Sequence, residues 1–214
     1  MVLALDGSGH SNASASSPTV TLTTSNADNV IIVIVTSNAA PVASVTSSGL
    51  TWIFIAADGL VAGQQCEMWY AIASSALTSH VITVNNTGGG FTTIDAFGVS
   101  GANTSDPFDG NASTPATSPS AILSVSTDTA DTFIVGGYRF NSTDTSSQGT
   151  GFTLISGLNF QLSEYKIVST TQSSLSIAIG TGSGNQNGGV AVAIKQAAAV
   201  GGAIPIFRRR IEGF

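Results

Sequence analysis

The sequence predicts an all-β fold: a single antiparallel β-sandwich of jelly-roll type, followed by a short C-terminal arm. Short runs of β-branched and aromatic residues recur roughly every 10–15 residues, with Gly, Asn, Asp, Ser and Pro between them. Helical periodicity is nearly absent. Only 8% of the residues are charged, whereas 42% are hydrophobic and about a quarter are serine or threonine. Such a composition suits strands whose solvent face is covered by neutral hydroxyl groups.

Two of the predicted strands have informative patterns. Val30–Val35 is apolar at every position, so we expect a central strand that is covered on both faces. Gly189–Ile194 alternates large and small apolar residues, which predicts that Val190, Val192 and Ile194 point into the core. The predicted strands are Thr19–Thr24, Asn29–Thr36, Val42–Ser47, Thr51–Ala56, Cys66–Ala73, His80–Asn85, Thr92–Val99, Ala121–Ser126, Thr132–Tyr138, Phe160–Ser169, Leu175–Ile179 and Gly189–Lys195.

Two connections stand out between these strands. Ser100–Ser120 has three prolines and no periodicity, which predicts an extended surface connection. Thr181–Gly189 is rich in Gly and Asn and predicts a turn before the last strand. No internal repeat of fixed period is found, and no linker divides the body. We therefore expect one domain over residues 1–196, with residues 197–214 as an appendage.

Charge is distributed unevenly along the chain. The net charge is −6, the first basic residue is Arg139, and three of the six basic residues are Arg208–Arg210. Nucleic acid and anionic membrane surfaces are therefore disfavoured as partners, because both require a basic face. No apolar run approaches the ~18–20 residues that span a bilayer. The N-terminal residues lack the features of a signal peptide, so we expect the product to remain inside the producing cell.

The residue types that perform chemistry are scarce. The histidines are His10 and His80, no G-x-S-x-G motif occurs, and the single cysteine, Cys66, is expected to be a buried apolar residue. Asp106–Asn111 is the densest acidic loop, and a turn that orients Phe108 is favoured there over a calcium site. We therefore predict no catalytic residue, no metal, no cofactor and no enzymatic activity.

Aromatic residues offer candidate contacts to a ligand such as a glycan. Trp52, Phe54, Trp69 and Tyr70 lie in strongly apolar strands, which favours packing in the core. Tyr138, Phe140 and Phe152 lie near polar loops and are candidates for exposed contact with a ligand. Phe108 is a further candidate for ligand contact.

The C-terminal arm combines apolar residues with a cationic cluster. Five large apolar residues within eleven positions are unusual for a free, solvated tail, so we expect this segment to bind a partner with an acidic surface. The candidate partner-binding residues are Ile204, Ile206, Phe207, Arg208, Arg209, Arg210, Ile211 and Phe214.

Several short segments, in order along the body, resemble a loose family of β-sandwich proteins encoded in bacterial and tailed-phage genomes. They are Val42–Trp52, Glu67–Ala71, Ala96–Ser100, Asp106–Asp109 and Val190–Lys195. The resemblance implies a jelly-roll or immunoglobulin-like module that is displayed on virions or cell surfaces and performs no catalysis.

The resemblance and the missing signal peptide together favour a virion structural protein of a tailed phage. Such a protein would assemble in the host cytoplasm with copies of itself and with other virion proteins, as a capsid decoration or in the tail. One alternative is a carbohydrate- or receptor-binding module of a fibre or adhesin, whose partner would be a host-surface glycan. A weaker alternative is a glycan-active enzyme.

Overall fold

The computed structural model describes residues 2–38, 41–59, 64–86, 88–119, 122–140, 147–158, 160–179 and 186–198. These residues form antiparallel strands and no helix, which confirms the all-β prediction. The strands are β1 (Ala4–Ser14), β2 (Thr19–Leu22), β3 (Asn29–Ser37), β4 (Val42–Ser47), β5 (Ile53–Ala57), β6 (Gln65–Ala73), β7 (His80–Asn86), β8 (Phe91–Ser100), β9 (Ala116–Ser118), β10 (Ile122–Val125), β11 (Thr132–Phe140), β12 (Thr153–Leu158), β13 (Gln161–Val168), β14 (Leu175–Ala178) and β15 (Gln186–Lys195).

The strands form four sheets. We name them the outer N sheet (β2-β7-β4), the central N sheet (β1-β8-β3-β6-β5), the central C sheet (β12-β13-β11-β15-β9) and the outer C sheet (β10-β14). One apolar cluster lies between the two central sheets. A second lies between the central and outer N sheets, and a third lies between the central and outer C sheets. The result is a four-layer sandwich. A jelly-roll connection of its strands stays a prediction.

The middle strands of the central sheets are buried along their whole length, because a neighbouring sheet covers each face. Every residue of β3 and of β11 is buried. In β15, Val190, Val192 and Ile194 face the opposite central sheet, while Ala191 and Ala193 face the outer C sheet. These findings confirm the interpretation of Val30–Val35 and of Gly189–Ile194.

The second half of the chain repeats the topology of the first. The central N sheet has the order β1-β8-β3-β6-β5, and the central C sheet has the order β9-β15-β11-β13-β12. Strands at the same position in the two orders are counterparts, so that β3 corresponds to β11 and β5 to β12. The pair β2-β7 recurs as β10-β14, and β4 has no counterpart among the described residues. The expectation of no internal repeat is therefore wrong at the level of topology. We call β1–β8 the N half and β9–β15 the C half.

Hydrogen bonds outside the strands repeat with the topology. In each half, a carboxylate accepts two backbone N–H groups from the loop after the short strand β2 or β10, each at 2.9 Å. In each half, a threonine after that strand forms two hydrogen bonds with one residue in the turn before β7 or β14. The threonine N–H donates to the carbonyl of that residue, and the threonine hydroxyl accepts from its N–H. The carboxylates are Asp6, which binds Ser25 and Asn26, and Asp109, which binds Asp128 and Thr129; the threonine pairs are Thr24–Leu77 and Thr127–Gln172.

The two halves pack around a pseudo-twofold axis that passes between β3 and β11. Ile34 of β3 lies against Gly137, its counterpart on β11, and a Cβ on Gly137 would lie 2.6 Å from Ile34 Cγ2. Cys66 donates its thiol hydrogen to the Gly137 carbonyl at 3.6 Å, and Gln161, the counterpart of Cys66, donates its amide to the Ile34 carbonyl at 3.2 Å. Counterpart donors thus reach counterpart acceptors across the interface, as in an isologous dimer.

Adding a side chain at Gly137 is expected to destabilise the packing of the halves. We predict that Gly137→Ala lowers the free energy of unfolding by about 1–3 kcal/mol, because the new methyl group overlaps Ile34 in a close-packed core. Chemical denaturation measures the change, and Gly110→Ala is the control, since open space surrounds Gly110. The loss should be smaller in an Ile34→Ala background; an equal loss in both backgrounds would contradict the proposed overlap.

Candidate functional site

Three of the rings proposed to contact a ligand are not accessible. Tyr138 is 0%, Phe140 is 3% and Phe152 is 8% exposed, because all three pack in the cluster beneath the outer C sheet. The expectation that these rings are exposed is therefore wrong. Phe108 is partly buried, and its ring meets the edge of the Tyr70 ring at 4.8 Å between centroids. The eight partner-binding candidates from Ile204 to Phe214 lie outside the described residues.

A groove lies at the surface where β5 begins, beside the β4–β5 turn. Two depressions of about 260 Å³ each lie side by side and share Gly49 and Ile72. The β4–β5 turn separates them, residues 73–78 line one depression, and residues 104–107 line the other. We call both depressions together the edge groove. Its walls come from segments that lie far apart in the sequence.

Local chemistry shapes the β4–β5 turn. Gly49 has a φ of +74°, a left-handed conformation that glycine adopts without strain. The indole N–H of Trp52 donates to the Ser47 hydroxyl at 2.9 Å, which holds the two ends of the turn together. The polar residues of this turn therefore project beside β5 rather than continuing β4.

The opposite wall is fixed to the end of β15. The side chain of Asn103 accepts hydrogen bonds from the backbone N–H groups of Ser105 and Asp106, at 3.1 and 3.2 Å. The N–H of Lys195 donates to the Pro107 carbonyl at 2.7 Å, and its ammonium group forms an ion pair with Asp106. This wall therefore joins the C half to the groove of the N half.

Strand β5 exposes apolar side chains on both of its faces. It pairs with β6 alone, so its other edge has no partner strand among the described residues. Ile53, which lines the groove, is 47% exposed, and Phe54, on the opposite face, is 48% exposed. The Phe54 ring packs edge-on against Trp69, at 5.2 Å between centroids. An apolar edge of this kind favours contact with another polypeptide.

The groove combines apolar side chains with neutral hydroxyl groups and a histidine. One depression is lined by Ile53, Tyr70 and Ile72 beside the hydroxyl groups of Thr51 and Thr104, and the other is lined by residues 73–78 and by His80. Each depression is smaller than the ~300–1,000 Å³ typical of sites for small organic ligands. The groove therefore suits individual apolar side chains of a peptide, with neutral hydroxyl groups to bind its backbone.

A serine, a carboxylate and a histidine meet at one end of the interface between the halves. Ser163 donates a short hydrogen bond to Asp95 Oδ2, and His10 Nδ1 lies 3.6 Å from Asp95 Oδ1. The nearby Asp95 carboxylate raises the pKa of His10. In a hydrolytic triad the histidine stands between the serine and the acid. Here the acid stands between them, so His10 does not activate Ser163, and the cluster instead links β8 of the N half to β13 of the C half.

A buried ion pair also joins the halves. Arg139 Nε lies 3.0 Å from Asp58 Oδ2, and the two side chains are almost fully buried. Burial raises the pKa of Asp58, while the Cys66 N–H group and the Arg139 guanidinium oppose that rise. In the sequence, the signal for this ion pair is Arg139, a single basic residue in an apolar strand, because a buried arginine requires an acidic partner. The sequence did not identify Asp58 as that partner.

A third titratable group is buried under the outer C sheet. Burial raises the pKa of Glu164 to about 7, although the N–H of Gly149 donates to its carboxyl group at 2.5 Å and opposes the rise. Burial and the nearby Glu164 raise the pKa of Tyr138. Glu164 therefore gains a proton readily in the folded protein.

In the described part of the chain, no three His, Cys, Asp or Glu side chains are grouped so that they could hold a metal ion. The same residues include no helix that is long and apolar enough to cross a membrane. No family model matches the chain, and no curated protein or solved structure is detectably similar to it.

The stability of the protein is expected to fall as Glu164 loses its proton. The folded-state pKa of about 7 lies above the ordinary value of 4.5. The folded state therefore binds more protons between these values, and the free energy of unfolding decreases as the pH rises through this window. We predict that Glu164→Gln, which stays neutral, is more stable than the original protein by about 2–3 kcal/mol near pH 8.

Near pH 4 the original protein and the Glu164→Gln variant should be nearly equal in stability, because the carboxyl group is then protonated in both folded and unfolded states. Chemical denaturation at the two pH values measures the difference. The same difference at both values would show that Glu164 does not titrate as described.

Proposed function

We propose that the protein is a non-enzymatic virion structural protein of a tailed phage, either a capsid decoration or a tail-associated protein. It assembles with copies of itself and with other virion proteins. The observation that carries the proposal is the apolar edge strand β5, on which Ile53 and Phe54 are each about half exposed beside the edge groove. Folded monomers seldom leave such an edge without a partner, because it promotes association.

The character of the remaining surface supports assembly at close range. Only 8% of the residues are charged, and hydroxyl residues are abundant, so repulsion between neighbouring copies is small. The two halves are joined by an apolar cluster, an ion pair and further hydrogen bonds, which suits a rigid building block. The tailed-phage setting is supported by the resemblance of short segments such as Val42–Trp52 and Val190–Lys195.

The C half provides a natural comparison for the proposed contact. Its edge strand β12 has the same bulge against β13 that β5 has against β6, one at Ile155 and the other at Ile55. In β12, Thr153 takes the place of Ile53, and Leu154, which takes the place of Phe54, is 41% exposed. The two edges therefore differ most at Ile53, the position that lines the groove.

A carbohydrate-binding module is the second candidate. Tyr70 lines the groove beside the hydroxyl groups of Thr51, Thr104 and Ser105, and a ring with neutral hydroxyl groups is suited to a sugar. Binding to a glycan array that is lost with Tyr70→Ala would favour this function. Assembly that is retained in Tyr70→Ala, without any glycan binding by the original protein, would favour the structural function.

Replacing the exposed apolar residues of β5 is expected to prevent assembly. We predict that Ile53→Ser with Phe54→Ser abolishes self-association and incorporation into particles, because the apolar contact area is lost while the buried core is unchanged. Sedimentation of the purified protein and incorporation during infection measure the two effects. Leu154→Ser is the matched control. Assembly that persists in the double variant, or is lost equally in the control, would contradict the proposal.

A further inference from the structure

We propose that the edge groove binds the C-terminal arm, residues Ile204–Phe214, of a neighbouring copy, so that copies are linked head to tail. The inference rests on the proposed function, since it names the partner of the surface through which the protein is proposed to assemble. The groove is the acceptor and the arm is the donor. Three features of the molecule support the pairing.

The described chain ends beside a wall of the groove. The N–H of Ala197 donates to the Gly101 carbonyl at 2.8 Å, Gln196 forms a β-bridge with Ala102, and the N–H of Asn103 donates to the Lys195 carbonyl at 2.9 Å. Residues 195–197 therefore run alongside residues 101–103, which lead directly into the wall at Thr104–Pro107. The arm thus begins at the end of the molecule on which the groove lies.

The apolar pattern of the arm fits the two depressions. Ile204 and Ile206 are two positions apart, so in an extended segment their side chains share one face. Pro205 disfavours a helix and is tolerated beside an edge strand. An extended segment that lies along β5 would form backbone hydrogen bonds with its free edge and place alternate side chains in the groove, as in β-strand addition.

The charges of the two partners are complementary. Eleven of the twelve acidic residues belong to residues 1–198, whereas three of the six basic residues are Arg208–Arg210. Asp28 is exposed and precedes Asn29, whose strand partner is Ala73 of one wall, whereas Asp106 beside the other wall is already paired with Lys195. The arginines of a bound arm are therefore attracted by Asp28 and by the net negative charge of residues 1–198, and at moderate salt this attraction steers association.

The donor is a neighbouring copy rather than the same chain. Residues 199–203 can span at most ~18 Å, so the arm of one chain could also approach its own groove. An arm bound in this way would cover Ile53 and remove the surface proposed to drive assembly. Binding between copies instead uses the donor and the acceptor of every chain and allows growth by identical contacts.

Cross-linking between two variants of the full chain, each with one introduced cysteine, tests the pairing. Copies with Ile53→Cys are mixed with size-tagged copies that have Ile206→Cys, and oxidised glutathione is added to form a disulfide between adjacent thiols. The natural Cys66 is buried, and burial raises the pKa of its thiol well above the ordinary value, so it does not compete. Because each variant has one introduced thiol, only an arm from another copy yields the mixed dimer.

We expect the mixed dimer to form readily with Ile53→Cys and several-fold less with Thr153→Cys, the matched acceptor in the C half. No mixed dimer, or equal amounts with both acceptors, would overturn the pairing. If assembly is lost in the Ile53→Ser, Phe54→Ser variant while the mixed dimer is absent, the arm is not the occupant although the proposed function stands. If assembly is unaffected in that variant and the mixed dimer is absent, both proposals fail.

Discussion

The face-to-face packing of β3 on β11 is the constraint on which the rest of the structure depends. Ile34 can approach β11 closely only because its counterpart is Gly137, which has no Cβ. Both strands lie in the middle of a sheet and meet another sheet on one face, so their other faces, which are also apolar, require a cover. The outer N and outer C sheets provide it, and the molecule consequently has four layers. Each fully buried large side chain in these layers contributes roughly 1.5–3 kcal/mol relative to an exposed one.

The polar groups in this interface define which halves can pair. Arg139 stands where β3 has Thr36, and Asp95 stands where β15 has Val190. If two N halves packed together, Asp58 would meet a threonine instead of an arginine and remain buried without a counter-charge. A buried, unpaired carboxylate is costly, so the Asp58–Arg139 pair selects the pairing of one N half with one C half. The interface therefore has the geometry of a symmetric dimer and the chemistry of an asymmetric one.

The sequence predicts the strands better than it predicts which of their faces another sheet buries. All twelve predicted strands exist, because β-branched runs and turn residues act locally. β1 was missed because its Gly-, Ser- and Asn-rich sequence has little β propensity, and pairing with β8 over almost its whole length stabilises it. Tyr138 and Phe140 were misplaced because their burial depends on the outer C sheet, whose strands are distant in sequence. The topological repeat is not evident in the sequence, because the residues that mark it, such as Asp6 and Asp109, are common turn residues in this chain.

Differences between the two halves also distinguish their edge strands. β5 and β12 have the same bulge, and a bulge ordinarily twists an edge away from incoming strands. In the N half, Ile53 lines the edge groove beside the Gly49 turn, whereas the equivalent of Ile53 in the C half is Thr153. If β5 accepts the arm of a neighbouring copy, as proposed, the contact is heterologous and generates rings or filaments rather than a closed pair. The asymmetry between the edges would then make the pseudosymmetric scaffold a directional building block.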